Sequence, residues 1–203
     1  MPTRTRRDQI LATAATLFAE RGFHGVSVGD LGAACGVSGP ALYRHFASKD
    51  AVLAEMLVGI SERLLAEGRS RATAAPDDRS ALAALVAWHV EFALEHPALI
   101  VVQERDWASL PGAARDRVRH LQLRYIDVWV DVLRRVRPGL DRPTARAACQ
   151  AAFGLLNSTP HSARLSEAKM RTLLEQMALD ALLPPPPDHP RTTPGPTTRS
   201  SAH

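Results

Sequence analysis

A chain of 203 residues is long enough for one large or two modest domains, and its 45% hydrophobic content is enough to build a core. Only 5% of residues are aromatic, so Ala, Leu and Val must do most of the packing, and the net charge of +4 permits a nucleic-acid partner without requiring one. No apolar run reaches the roughly eighteen residues of a membrane span, and "MPTRTRRDQI" lacks the apolar stretch of a secretory signal, so a cytoplasmic protein with no membrane contact is expected.

The helical period dominates, and an all-α fold of about nine helices is expected. Ile10, Leu11, Ala14, Leu17 and Phe18 recur at helical spacing between Arg6 and Arg21, and Gly22 stops that helix. Ser27 and Asp30 read as a capping box opening a short helix with Leu31, Ala34 and Cys35 inward, ended by Gly36. Ser38 caps the next helix, with Pro40 where its missing N–H costs nothing, and that helix is expected to run to Phe46. Ser48 caps a long helix to about Arg69, and "ATAAPDDR" (72–79) is a loop and candidate boundary. Further helices are expected at 80–95, 97–107, 111–137, 143–159 and 166–183. From Pro184 the composition changes: the segment 184–203 holds seven of the fifteen prolines and nothing aliphatic larger than alanine, so it is expected to be disordered. Cys35 and Cys149 lack CxxC spacing and read as small buried apolar residues, with a redox switch as the alternative.

Two short capped helices meeting at Gly36-Val37-Ser38 form a helix-turn-helix, whose second helix is the one that enters a DNA major groove. Gly39, Pro40 and Ala41 keep its leading edge narrow, and Ala41 suits a thymine methyl. Arg44 suits a guanine edge, while Tyr43 and His45 carry polar tips for phosphate oxygens. Lys49 sits at the positive end of the next helix, a conflict that a bound phosphate would remove. Taken without the turn, Tyr43, Arg44 and His45 read more readily as a solvated face; the turn assigns them to DNA.

"GVSGPALYRHFASKDAVL", preceded by "AATLFAERGFHGVSVGDLGAACGVS", resembles the helix-turn-helix signature of the TetR family of bacterial transcriptional regulators over roughly residues 10–64. The resemblance implies a DNA-binding domain (1–50), a larger ligand-binding and dimerisation domain (51–183) and the tail (184–203). It places Ser38, Gly39, Ala41 and Arg44 near bases, Tyr43, His45 and Lys49 near phosphates, and Ser27 and Val28 at the backbone on the other side. Arg4, Arg6 and Arg7 form an arm that either adds DNA contacts or frays into solvent. Gly29 and Gly32 depart mildly from the pattern and soften the second helix by about 1 kcal/mol each.

For the larger domain the resemblance implies a ligand cavity. Trp88, Phe92, Trp107, Tyr125 and Trp129 gather the scarce aromatics and are its candidate walls, with plain core packing as the other reading of each. Its candidate polar groups are His89, Gln103, Arg105, Asn157 and His161. The stretch "FGLLNSTPHS" (153–162) looks like one in regulators of lipid or acyl-CoA metabolism, and Arg115, Arg117, Arg119 and Arg124 are either an anion-attracting patch or a solvated face. Ala147, Ala148, Ala151 and Ala152, with the stripe Met170, Leu173, Leu174, Met177 and Ala181, are expected to pair the last two helices with a second subunit, and two-fold symmetry then asks for a palindromic operator.

No HExxH, GxSxG, P-loop or GxGxxG occurs, and the histidines show no metal-ligand spacing, so neither an enzyme nor a metal or other cofactor is expected. The expected protein is a homodimeric repressor of a double-stranded DNA operator, released by a small apolar effector that is lipid-like or acyl-CoA-like. The alternative is a ligand- or thiol-responsive binding protein with weak or no specific DNA binding.

Overall fold

The computed structural model describes residues 5–183; the proline-rich segment 184–203 and Arg4 lie outside the described residues. Among the described residues the chain is all-helical. The helices are α1 (Arg6–Arg21), α2 (Val28–Cys35), α3 (Gly39–Tyr43), α4 (Lys49–Ala74), α5 (Asp78–Glu95), α6 (Pro97–Arg105), α7 (Gly112–Val136), α8 (Arg142–Leu156) and α9 (Glu167–Leu182). Single turns at Trp107–Ser109 and Thr159–Ser162 interrupt the series.

Local chemistry explains most of the boundaries. The Ser27–Asp30 capping box forms as expected, and a second one, Thr5–Asp8, opens α1. Ser38 and Ser48 cap α3 and α4, their hydroxyls accepting from Ala41 at 3.3 Å and Ala51 at 3.1 Å. Gly36 ends α2 in the left-handed region at φ 63°, which a residue with a Cβ adopts only at a cost. The loop expected at 72–79 shrinks, because α4 runs on to Ala74 and Asp77 caps α5 by accepting from the Ser80 N–H at 2.7 Å.

Two expectations fail for identifiable reasons. The third helix stops at Tyr43 instead of reaching Phe46, because the backbone tightens: the Arg44 and His45 N–H groups bond the carbonyls three residues back, at 3.3 and 2.9 Å. That turn drives Phe46 into the core. The eighth helix stops at Leu156; a separate turn follows, in which the Thr159 hydroxyl donates to Ala93 O at 2.7 Å and pins the segment to α5. In α2, Leu31 and Gly32 face inward while Ala34 is exposed.

Buried residues form two main cores, and α4 belongs to both. Ile10, Phe18, Phe23, Leu31, Leu42 and Phe46 pack with Val52, Leu53, Met56 and Leu57 from the first half of α4. Leu65 joins the second core with Leu85, Trp88, Tyr125, Trp129, Leu156 and Leu174. The first core also takes in Val102 from α6, Leu110, and Val118 from α7, so the helix-turn-helix rests on the larger domain through apolar contacts. Among the described residues no single helix is long and apolar enough to cross a membrane.

Candidate nucleic-acid interface and cavity

Ser27 and Ser38 are exposed at the starts of α2 and α3, with their hydroxyls engaged as caps; Val28 is half-buried. Ala41 is partly exposed on α3, at whose start Gly39 lies, and Tyr43 at its end is 55% exposed. Arg44 follows as the exposed C-cap and His45 is partly buried. An aromatic and a guanidinium thus stand exposed side by side at the end of α3, on a segment opened by the Ser38 cap.

Lys49 does something else. Its ammonium donates to Phe23 O at 2.8 Å and Val26 O at 2.7 Å, and lies 4.3 Å from the centre of the Phe23 ring. The dipole conflict at the start of α4 is thus relieved by carbonyls of the α1–α2 turn, and Lys49 serves here as an internal tie. Arg6 and Arg7 are likewise no free arm, since both lie in α1. Arg6 donates to Cys35 O at the end of α2. Arg7 pairs with Glu55 of α4, donates to His45 O and covers the Phe46 ring at 4.3 Å.

The larger domain holds a cavity of about 220 Å³ that opens to the surface beside Glu104 and Gln150. Its wall is contributed by Ser61 and Leu64 of α4, His89 and Phe92 of α5, and Ile100, Gln103 and Glu104 of α6. Gln122, Tyr125 and Ile126 of α7 close it with Gln150 and Phe153 of α8 and Asn157, the cap of α8. His89, Phe92, Gln103, Tyr125 and Asn157 therefore lie around one cavity.

Trp88, Trp107, Trp129 and His161 do not line it. Trp88 lies beneath Arg63 and Arg71, 5.3 and 4.6 Å from its ring centre, and its indole N–H reaches Leu64 O at 3.4 Å. Trp129 is fully buried behind Phe153, 4.7 Å between ring centres. Trp107 packs on the N-terminal core, and His161 is exposed. Arg105 points away and donates to Ala19 O at 3.0 Å and to Phe18 O, the last-turn carbonyls of α1, while pairing with Asp106 at 3.3 Å. Phe153, Gln150 and Gln122 went unrecognised; the spacing 150, 153, 157 on one face of α8 was the available signal.

A hydrogen-bonded chain crosses the wall. His89 Nε2 meets Asn157 Oδ1 at 3.0 Å, and Tyr125 OH meets His89 Nδ1 at 3.4 Å. Burial pushes the His89 imidazole down to about 4, against the opposing pull of the Asn157 bond, so the ring is neutral at physiological pH. Burial also raises the Tyr125 phenol well above its ordinary value. With Nε2–H donated to Asn157, Nδ1 is the acceptor and the Tyr125 hydroxyl the donor. Burial pushes the Cys149 thiol up to about 12, which leaves it unreactive and fits packing alone. In the arginine run, Arg117 pairs with Glu62 at 2.8 Å and Arg115 donates to Ala108 O and Leu110 O, so two of its four cations are internally committed.

Tyr125 is placed by Gly68. A Cβ added at Gly68 would stand 2.5 Å from Tyr125 Cε2 and 3.4 Å from Leu85 Cδ2. By helix propensity alone Gly68→Ala in α4 would stabilise by about 1 kcal/mol. The expected result is the opposite, a loss of about 1–3 kcal/mol, because a ring held by neighbours on two sides cannot yield cheaply. Urea denaturation of the variant decides between them: a raised midpoint would mean that Tyr125 moves freely.

Residues 10–56 match the family model "Bacterial regulatory proteins, tetR family", and residues 73–161 match "Tetracyclin repressor-like, C-terminal domain". The chain is 32% identical over 129 residues to the HTH-type transcriptional repressor KstR2 of Rhodococcus jostii strain RHA1, an alignment spanning 63% of each chain. It is 30% identical over 166 residues to the HTH-type transcriptional activator FasR of Mycolicibacterium smegmatis, spanning 81% of this chain and 73% of that one. Its fold superposes on a TetR-family regulator from Bordetella parapertussis with a TM-score of 0.78 and 28% identity, covering 88% of this chain and 96% of that one. The capped helix-turn-helix, the cavity-bearing helical domain behind it and these likenesses agree: the chain belongs to the tetR family of bacterial transcriptional regulators.

Proposed function

We propose that this regulator is a ligand-responsive repressor that binds a palindromic operator as a homodimer and releases it when a small, largely apolar effector occupies the cavity. The observation that carries the reading is the double duty of α6. Gln103 and Glu104 form part of the cavity wall, while the adjacent Arg105 holds the carbonyl end of α1. An effector that displaces α6 moves α1 and with it the surface of Tyr43 and Arg44. By linkage, an effector that favours the DNA-incompetent arrangement weakens operator binding, and operator weakens effector binding equally. Repression follows the likeness to KstR2; the likeness to FasR makes activation the competing outcome.

A second copy of the chain suits the outer face of α8 and α9. Ala147, Ala151 and Gly154 are exposed on α8, and Leu173 and Met177 are 44% and 45% exposed on α9. The stripe expected to lie on one face divides: Met170 and Leu174 fill the core, and Leu173, Met177 and Ala181 are left for a partner.

Selection of bound duplexes from a random pool at near-physiological salt tests the reading. A palindrome is expected, and Arg44→Ala should relax preference at one position of each half-site by about 1–3 kcal/mol. No enriched sequence from a folded protein, with or without cavity ligands, would refute the operator; a single unrepeated half-site would refute the dimer.

A further inference from the structure

The wall of the cavity is chemically lopsided. Among its residues Glu104 is the one carboxylate, and no lysine or arginine is present. Arg105, next to Glu104 in sequence, and Arg115 are tied to backbone carbonyls elsewhere, and Arg71, whose charge is felt at Tyr125, pairs with Glu67 and Glu91. His89, the one wall side chain able to carry a positive charge, is 3% exposed and held neutral between Asn157 and Tyr125. An anion seated at the buried end, against His89 and Tyr125, would lose its hydration with no cation in the wall, which is the costly case for burial.

The direction of the hydrogen-bonded chain says what the cavity does offer. Asn157 spends its Oδ1 on His89, so its amide N–H groups are what it presents to the cavity. Phe92, Tyr125 and Phe153 supply the apolar surface beside it, with Tyr125 and Phe153 ring centres 5.7 Å apart. At about 30 Å³ per water, the volume corresponds to roughly seven waters, smaller than the about 300–1,000 Å³ typical of sites for larger ligands.

From these features we infer that the cavity selects a compact, uncharged molecule whose ketone, ether or hydroxyl oxygen is received by the Asn157 amide and whose apolar body lies against Phe92, Tyr125 and Phe153, and that it discriminates against carboxylates and phosphorylated thioesters. The inference rests on the cavity being the effector site, and it sets a neutral ligand against the acyl-CoA-like one.

Calorimetric titration of the full-length protein with α-tetralone, its hydrocarbon tetralin, naphthoate and butyryl-CoA tests it. The ketone is expected to bind roughly tenfold more tightly than tetralin, the worth of one hydrogen bond to a preformed donor, and to exceed both anions by at least that factor. Asn157→Asp keeps an acceptor for His89 but puts an oxygen in place of the amide nitrogen. It should abolish the advantage of the ketone over tetralin while tetralin binding persists; a merely structural role for Asn157 would weaken both alike. Naphthoate or butyryl-CoA binding as tightly as the ketone would overturn the inference, as would no binding of any probe to the folded protein. Ketone binding without any change in operator affinity would uphold the cavity chemistry and refute the effector role, whereas butyryl-CoA binding that releases the operator would do the reverse.

Discussion

Lys49→Met should lower the unfolding free energy of the protein by about 3 kcal/mol while leaving the salt dependence of DNA binding unchanged. Methionine keeps the side-chain stem against Phe23 and removes only the ammonium. What is lost is a pair of charge-assisted bonds to Phe23 O and Val26 O, each worth about 1.5–3 kcal/mol before discounting for partial exposure, together with the cation over the Phe23 ring. These ties join the α1–α2 turn to the start of α4, so their loss should loosen the orientation of α2 and α3 and weaken all operators through stability rather than contact. Thermal denaturation and binding isotherms across a salt series separate the two roles. A variant that melts like the parent, yet shows a salt slope shallower by about one ion, would return Lys49 to the phosphate backbone.

The protein should also lose stability in acid, over a window set by His89. In the unfolded chain this imidazole titrates near 6.5, and in the fold near 4. Between those values the unfolded state binds a proton that the folded state refuses, so stability is fully present above the upper value and falls as pH drops toward the lower one. At about 1.36 kcal/mol per pH unit the loss amounts to roughly 3 kcal/mol. Urea midpoints measured between about pH 7 and about pH 4.5 should show this slope, and His89→Phe should flatten it even if the variant is less stable throughout. A slope of equal size in the variant would assign the acid sensitivity to other groups. A compact effector bound at Asn157 should raise the midpoints throughout and carry the slope to lower pH, since the ligand favours the state with His89 neutral.

Much of the architecture was legible because it is written locally. Ser27-Asp30, Ser38 and Ser48 satisfy backbone donors within three residues, and Gly36 answers a dihedral need of its own residue, so caps and stops could be placed without a fold. The helix-turn-helix followed from those punctuations, and the exposure of Tyr43 and Arg44 agrees with the faces they imply. The aromatics were harder to place, since four-residue spacing identifies a helix face but not its neighbour. Trp88 and Phe92 share a helix, yet a small lateral offset puts Phe92 in the cavity wall and Trp88 beneath two arginines.

The long polar side chains were the least legible. Lys49, Arg7 and Arg105 carry charge at the end of flexible stems, and each is claimed by backbone oxygens distant in sequence: Phe23 and Val26, His45, and Ala19 and Phe18. The sequence by itself determined the helices, their caps, the helix-turn-helix and the family, all of which depend on contacts within a few residues. Only the tertiary structure decided where the free cations are, which aromatics surround the cavity and that its wall lacks positive charge. A charged group several bonds from its backbone takes whichever partner the packed fold leaves within reach, and that partner is set by the arrangement of α1, α4 and α6 rather than by sequence neighbours.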